Sequence, residues 1–273
     1  GIDGIAWGVV LGAFMHLSLQ TYSAYANGYR WQWHLNLGDP NAKLIGKLMI
    51  PRTLGLAISQ LNLVIITILA SLLPVGSVTI FNVANNLQAV PIGIIAIPFA
   101  LAVFPVLSTA AANNNIEEFI KNLSTTVRQV LFLIIPCGVI FLLLRAQVVR
   151  VVYGTGAFDW KATISTADTL AFFSLSLVGQ ALIPILARAF YALGNTKTPF
   201  IIGIFSELVG IIAALLLMKP LGVPGLALSF SLSALLNLIL LTTYLKGLTK
   251  TLDGDKIFSS FWRMIVGAIP MAL

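Results

Sequence analysis

Charged residues are scarce in this sequence: they make up 9% of its 273 residues, whereas hydrophobic residues make up 58%. Soluble domains are about a quarter charged. This scarcity and the mean hydropathy of +0.97 exclude a soluble domain. Apolar runs of about 20 residues, the helical length that crosses a bilayer core of about 30 Å, recur along the chain. We therefore predict an all-α polytopic membrane protein.

Cysteine and the motifs of enzymes are equally scarce. The single cysteine, Cys137, lies in an apolar run, which excludes a disulfide framework and a metal-binding cysteine pair. The sequence has no plausible Ser/His/Asp set, no metal-ligand spacing and no phosphate-cradling glycine loop. We predict a protein that is not an enzyme and holds no metal. The net charge of +7 is scattered singly between apolar runs, so no nucleic-acid partner is expected.

The apolar runs divide into about eight transmembrane helices. When the connections alternate between the two sides of the membrane, twelve of the 16 basic residues fall on one side and four on the other. This bias is the positive-inside signature, and it predicts that the side with twelve is cytoplasmic. The eight helices cover roughly residues 1–20, 52–73, 77–111, 117–144, 164–193, 199–218, 222–246 and 257–273.

The third predicted span carries an unusual run of uncharged polar residues, FNVANNLQAVP at 81–91. At helical spacing Thr79, Asn82 and Asn86 fall on one stripe, with Asn85 at its edge. Prolines follow at 91, 98 and 105, and each frees backbone groups that need protein or water partners at membrane depth. These polar residues could serve interhelical hydrogen bonding, or they could form a wall of a hydrated cavity. We favour the cavity wall.

The second span and one later residue add to this candidate site. Arg52 opens the second span, which also carries Gln60 and Asn62, and a short connection makes it an antiparallel neighbour of the third. Glu207 is the one acid placed deep within a predicted span. A mid-bilayer carboxylate is costly, and by default it marks a functional position. We predict that Arg52, Gln60 and Asn62 line the cavity. Glu207 is a candidate for ion or proton coupling, and the alternative is a structural partnership with a neighbouring residue.

Loop and helix-end motifs resemble one known family, the MurJ/MviN lipid II flippases of the multidrug/oligosaccharidyl-lipid/polysaccharide exporter superfamily. The motifs are YGTGAFD at 153–159 and RAFYALGNTKTP at 188–199. The similarity continues upstream through AVPIGIIAIPFALAVFPVLS and downstream through GVPGLALSFSLSALLN, so it covers nearly the whole chain.

The resemblance implies the second lobe of a two-lobe, fourteen-helix exporter fold. Residues 1–51 would hold the last helix of the first lobe and a cytoplasmic inter-lobe loop, residues 52–246 the six-helix second lobe, and residues 247–273 a linker and the start of a C-terminal helix pair. The two C-terminal helices of the family border a lipid-binding groove. The chain would then be part of a longer protein whose first lobe is missing here.

The function implied by the resemblance is translocation of lipid II, the lipid-linked peptidoglycan precursor, across the bacterial cytoplasmic membrane by alternating access, for cell wall biogenesis. No cofactor is expected, and coupling to membrane potential or to a monovalent cation is a candidate energy source. The alternatives are another polyprenyl-linked saccharide flippase, a cation-coupled drug exporter of the same superfamily, or a non-transporting scaffold that kept the fold.

The candidate cavity departs from the family pattern at its charged positions. The family typically carries ADR and then an acid before the proline, whereas this sequence reads ANNLQAVP. Asn85 stands for the Asp, Asn86 for the Arg and Ala89 for the acid. An asparagine cannot supply the bidentate, charge-assisted contacts that an arginine offers a pyrophosphate. We therefore expect Asn82, Asn85 and Asn86 to contact the sugar or pyrophosphate region through neutral hydrogen bonds.

Overall fold

The structure, a computed structural model, describes residues 2–30, 39–154, 159–249 and 252–268, and within these ranges it contains helices and no strands. The chain forms two compact units, Gly1–Gly46 and Lys47–Leu273. Its helices are α1 (Ile2–Ala26), α2 (Pro40–Ser71), α3 (Ser77–Pro91), a π-helical turn (Ile92–Ala96), α4 (Ile97–Ala112), α5 (Ile116–Leu143), α6 (Arg145–Tyr153), α7 (Trp160–Ala192), α8 (Lys197–Leu221), α9 (Val223–Thr249) and α10 (Gly254–Ala268).

Within the part of the chain that the structure describes, six helical segments are long and apolar enough to cross a membrane, and they correspond to the second through seventh predicted spans. The all-α polytopic class is confirmed. Helices α1 and α10, predicted as the first and eighth spans, are not among these six, and the count of eight stays a prediction. The end of the eighth predicted span, residues 269–273, lies outside the described residues. The six segments are Thr53–Ser71, Ser77–Ala112, Ile116–Leu143, Trp160–Ala192, Lys197–Leu221 and Val223–Thr249.

Helix α2 begins at Pro40, twelve residues before the predicted start of the second span at 52. Proline is favoured at the first position of a helix, because its missing N–H would have no partner there and its fixed φ suits the helix. The backbone N–H of Lys43 donates to the carbonyl of Asp39 at 3.1 Å and closes the first turn. Part of the predicted inter-lobe loop is therefore an N-terminal extension of α2 that carries Lys43 and Lys47.

Side-chain caps fix the starts of two further helices. Asn115 accepts a hydrogen bond from the backbone N–H of Glu118 at 3.1 Å and donates to its carboxylate at 2.9 Å, a reciprocal cap for α5. Asp159 accepts from the N–H of Ala162 at 2.7 Å and starts α7 four residues before the predicted boundary. The short helix α6 fills the connection between α5 and α7, where no helix was predicted.

The third span is interrupted by a π-helical turn directly after Pro91, the first of its three prolines. The N–H of Ile97 donates to the carbonyl of Ile92, five residues back, instead of the usual four. Proline cannot continue the α-helical ladder, and single π turns inside α-helices mark such adjustments. The span from Ser77 to Ala112 is thus one helical rod with a change of pitch near its middle.

Helix α7 is the central helix of the larger unit, with α3, α4, α5, α6 and α9 packed against it. The ring of Phe173 on α7 lies edge-to-face against Phe81 of α3 and Phe230 of α9, with ring centroids 5.3 Å and 5.5 Å away. At Gly179, where α7 and α9 cross, an added Cβ would lie 3.1 Å from the carbonyl oxygen of Ala234. Small residues permit this close approach, as is usual between membrane helices.

Candidate functional site

The predicted stripe on α3 forms a solvent-accessible polar face of the larger unit. Thr79, Asn82 and Asn86 are exposed, and Asn85 at the edge of the stripe is half-buried. Among the described residues, none offers a hydrogen-bond partner to the side chains of the three exposed members. Their amide and hydroxyl groups therefore remain available to water or to a ligand.

Directly beside this face, Gln88 turns inward and ties α3 to α7. Its side chain is 2% exposed. The Nε2 group donates to Oδ1 of Asn85 at 3.1 Å, and the Oε1 atom accepts from the hydroxyl of Ser176 at 3.0 Å. Because an unsatisfied amide in the core would be costly, the bond to Ser176 fixes the register of the two helices, while the bond to Asn85 satisfies the amide within α3. It also orients Asn85 toward the edge of the exposed face.

A second polar site joins α2 to α8. Asn62 is 7% exposed, and its Nδ2 group donates to the Oε2 atom of Glu207, which is half-buried. Both residues lie near the middle of their spans. Interhelical hydrogen bonds of this kind are the common way in which membrane proteins satisfy a deep polar group. The structure thus gives Glu207 a specific partner on a neighbouring helix.

The residues predicted to line one cavity therefore divide into two groups. Gln60 is exposed, but it lies two positions from Asn62 and so on nearly the opposite face of α2. Asn62 itself belongs with Glu207 and not with the stripe on α3. Arg52 falls within α2, and its side chain lies outside what the structure describes.

Helices α8 and α9 approach each other very closely beside Glu207. The hydroxyl of Ser233 donates to the carbonyl of Ser206 at 2.8 Å. An added Cβ at Gly210 would lie 2.8 Å from the Cβ of Ser233, so no larger residue fits there without movement. The hydroxyl of Ser206 is buried and has no hydrogen-bond partner among the described residues. This interface holds α8, and with it Glu207, in a fixed position.

An apolar groove of about 530 Å³ lies between α5, α7, α9 and α10. Leucines and valines from α5, α7 and α9 line most of it, and Ile257, Phe258 and Phe261 of α10 close one side. Among the described residues that line it, Thr242 and Lys246 are the ones with polar side chains. A groove of this composition can hold a hydrocarbon chain but offers a polar group little.

The membrane spans, the exposed polar face and the deep polar pair define the class of this protein: a multi-pass α-helical membrane protein with a polar surface inside its transmembrane region. Comparison with known proteins identifies the family. The family profile described as "Lipid II flippase MurJ" matches residues 1–273, so the chain belongs to the MurJ lipid II flippase family. It is accordingly a multi-pass protein of the bacterial inner membrane.

Individual relatives agree with this assignment. The chain is 28% identical over 244 residues to a probable lipid II flippase MurJ of Bdellovibrio bacteriovorus, covering 89% of this chain and 47% of the relative. It is 30% identical over 242 residues to the corresponding protein of Vibrio cholerae, covering 87% and 45%. The chain thus spans about half the length of the curated relatives it matches.

A solved structure shows the same fold. The structure described as lipid II flippase MurJ in an inward closed conformation superposes with a TM-score of 0.71 at 24% identity, over 92% of this chain and 52% of that one. The predicted all-α polytopic fold class is confirmed by this neighbour, of which this chain covers about half.

Proposed function

We propose that this chain is the second lobe of a lipid II flippase, which moves the lipid-linked peptidoglycan precursor across the bacterial inner membrane for cell wall synthesis. The observation that carries the proposal is the exposed face of Thr79, Asn82 and Asn86 on α3, in a chain that the family profile matches throughout. A first lobe, contributed by the rest of the full-length protein, would complete a central cavity over this face.

The chemistry of the face suits a sugar-rich headgroup. Two carboxamides and a hydroxyl supply donors and acceptors to hydroxyl and amide groups without the cost of burying a charge. They offer no cation for a diphosphate, so basic residues of the first lobe would have to neutralise that part. The apolar groove beside α10 is wide enough for a hydrocarbon chain and supports a lipid-linked substrate.

The proposal is tested by removing the two exposed amides in the full-length protein. We expect Asn82→Leu with Asn86→Leu to lower lipid II translocation at least tenfold and to abolish growth of a flippase-depleted strain, because no carboxamide of the stripe would then face the cavity. The matched control replaces two exposed threonines elsewhere on the spans, Thr109→Leu with Thr243→Leu, and should retain growth. Normal growth of the asparagine variant at normal membrane abundance would contradict the proposal.

We further propose that Glu207 couples transport to membrane potential or to a monovalent cation. It is a deep carboxyl group between two spans, held by Asn62, and a change of its charge or its bonding would act on both helices. Asn62 and Glu207 lie on α2 and α8, so loss of their bond would free one span to move relative to the other.

Glu207→Gln separates coupling from structure, since the glutamine oxygen still accepts from Asn62 while the charge is lost. In proteoliposomes holding the full-length protein, we expect this variant to lose the dependence of transport on an imposed potential or cation gradient. Asp168→Asn, at a partly exposed carboxylate near the outer end of α7, is the control and should retain it. An unchanged dependence in Glu207→Gln would refute the coupling role.

A further inference from the structure

Helix α6 carries an apolar surface that the proposed function does not use. The helix joins α5 to α7 on the side of the membrane that the distribution of basic residues predicts to be outer. At nine residues it is too short to cross a bilayer core. Val149 on this helix is fully buried, whereas Val151 is 84% exposed and Val152 is 54% exposed. Two neighbouring apolar side chains therefore lie outside the packed core of the described residues.

Around its axis α6 shows one protein-facing sector and one polar sector. Ala146, Val149 and Tyr153 recur at spacings of three and four, and they pack into the core that α6 shares with α7. Gln147 and Arg150 lie three residues apart and are exposed. At about 100° per residue, the polar sector lies roughly a quarter of a turn from the protein-facing one. A helix that met only protein and water would need no further kind of surface.

The third sector of α6 is apolar and faces away from the other two. It holds four residues that recur at spacings typical of one helix face, which we call the α6 stripe: Leu144, Val148, Val151 and Val152. Leu144 directly precedes α6 and ends the charge-free run of the α5 span. Three distinct sectors indicate three surroundings, namely protein, water and lipid, as in helices that lie in the plane of a membrane interface.

The level of α6 relative to the bilayer follows from α7. This helix has 33 residues and is about 50 Å long at 1.5 Å per residue, so it exceeds a bilayer core of about 30 Å. Its charge-free part runs between Asp168 and Arg188, which are about 30 Å apart along the helix axis. Asp168 therefore marks one boundary of the hydrocarbon core. Because Nε of Arg145, the first residue of α6, lies 3.6 Å from Oδ1 of Asp168, α6 lies at that boundary.

We propose that α6 is an interfacial helix whose stripe inserts into the outer leaflet of the bilayer. In that position the α6 stripe contacts acyl chains, Gln147 and Arg150 contact headgroups and water, and the opposite side packs on α7. Helices of this kind bury an apolar face about 5 to 10 Å into the boundary between headgroups and acyl chains. Insertion removes the exposed valine surface from water. It also holds the outer ends of α5 and α7 at one depth.

The lipid partner is inferred from the continuity and the depth of α6, and not from the proposed function. The α6 stripe continues directly from a membrane span, and the ion pair of Arg145 with Asp168 places the helix at the boundary of the hydrocarbon core. Neither the polar face of α3 nor the pair of Asn62 and Glu207 is involved. Failure of this proposal would therefore leave the proposed transport function untouched.

Spin-label accessibility in the membrane tests the proposal. The full-length protein, in a cysteine-free background that includes Cys137→Ala, is placed in liposomes of phosphatidylglycerol and phosphatidylethanolamine. It carries one nitroxide at Val151→Cys or at Gln147→Cys, a matched pair one helical turn apart. We expect oxygen to reach the first label in preference to a water-soluble nickel complex, at a depth of about 5 to 10 Å below the phosphates. The second label should favour nickel and lie at or above the phosphates.

A second variant shows whether the α6 stripe sets this depth. Val152→Lys places a cation in the stripe and should move the Val151→Cys label to the level of the phosphates, because a lysine draws its helix face toward water. Gln147→Lys is the matched control. It adds the same cation to the polar sector and should leave the depth of the label unchanged.

Each of three results would overturn the proposal. A Val151→Cys label that nickel reaches as readily as the Gln147→Cys label would show that the stripe faces water. A label that neither oxygen nor nickel reaches would show that another part of the full-length protein, or a second copy, covers the stripe. An unchanged depth in Val152→Lys would show that the stripe does not hold the helix in the leaflet.

Discussion

The two polar regions of the larger unit satisfy their polar groups in opposite ways. On α3, Asn82 and Asn86 are uncharged, exposed and without partners among the described side chains. Between α2 and α8, Glu207 is ionisable, half-buried and held by the buried Asn62. An amide left facing water costs little, whereas a carboxyl group at membrane depth needs a donor. The α3 face is thus open to a ligand or water, whereas the deep pair links two of the protein's own helices, and the proposed coupling role of Glu207 would act through that link.

This difference also bears on the charged residues of the family pattern that α3 lacks at Asn85, Asn86 and Ala89. A cavity wall with an arginine and two acids would hold its own ion pairs when empty. The face on α3 carries three uncharged amide or hydroxyl groups instead, so it can meet a hydrated cavity without a counter-ion. Its loss of charge is therefore compatible with a binding surface for neutral groups.

The largest effect on stability is expected at the buried pair. Asn62→Leu removes the donor and leaves the carboxyl group of Glu207 unpaired at membrane depth, and we expect it to lower the free energy of unfolding by about 2 kcal/mol. Unfolding of the full-length protein in mixed detergent and SDS measures this loss. Because a glutamine side chain keeps an acceptor oxygen for Asn62, Glu207→Gln should cost much less, about 0.5 kcal/mol.

The corresponding double variant identifies the cause of that loss. If the bond is responsible, Asn62→Leu with Glu207→Leu will be more stable than the sum of the single changes predicts, with a coupling energy of about 1 kcal/mol. If the changes in the free energy of unfolding simply add, the two side chains are energetically independent. The two polar regions would then differ in burial and not in hydrogen bonding.

Much of this fold could be predicted from sequence because lipid imposes simple rules on it. Apolar length predicted the six spans, and the clustering of basic residues predicted an orientation in which Lys121 and Lys256 lie on the same side of the membrane. The start of α2 was placed late at 52, because Lys43 and Lys47 interrupt the apolar run before it and only the sequence Asp39-Pro40 indicates the true beginning. Likewise, α6 is too short for a hydrophobicity pattern to reveal.

The candidate site was harder to predict, because the face of a helix that meets a partner depends on residues distant in sequence. The stripe of Thr79, Asn82 and Asn86 follows from spacing alone. The partner of Gln88 is Ser176, which lies 88 residues away, and the partner of Asn62 lies 145 residues away. Spacing on α2 could separate Gln60 from Asn62 but could not tell which of them faces the interior. The position of Gln88 three residues after Asn85 was the available signal for their bond.

The smallest effect on stability is expected at the exposed face, and it completes the comparison. Asn82→Leu with Asn86→Leu removes no hydrogen bond that the structure shows, so the free energy of unfolding should change by less than about 0.5 kcal/mol even though transport is lost. The same SDS unfolding measurement on the full-length protein checks this, with Asn62→Leu as the destabilised reference. A loss as large as that of Asn62→Leu would mean that the two asparagines are bonded to another part of the full-length protein. The face on α3 would then be a helix-packing surface rather than the wall of a cavity.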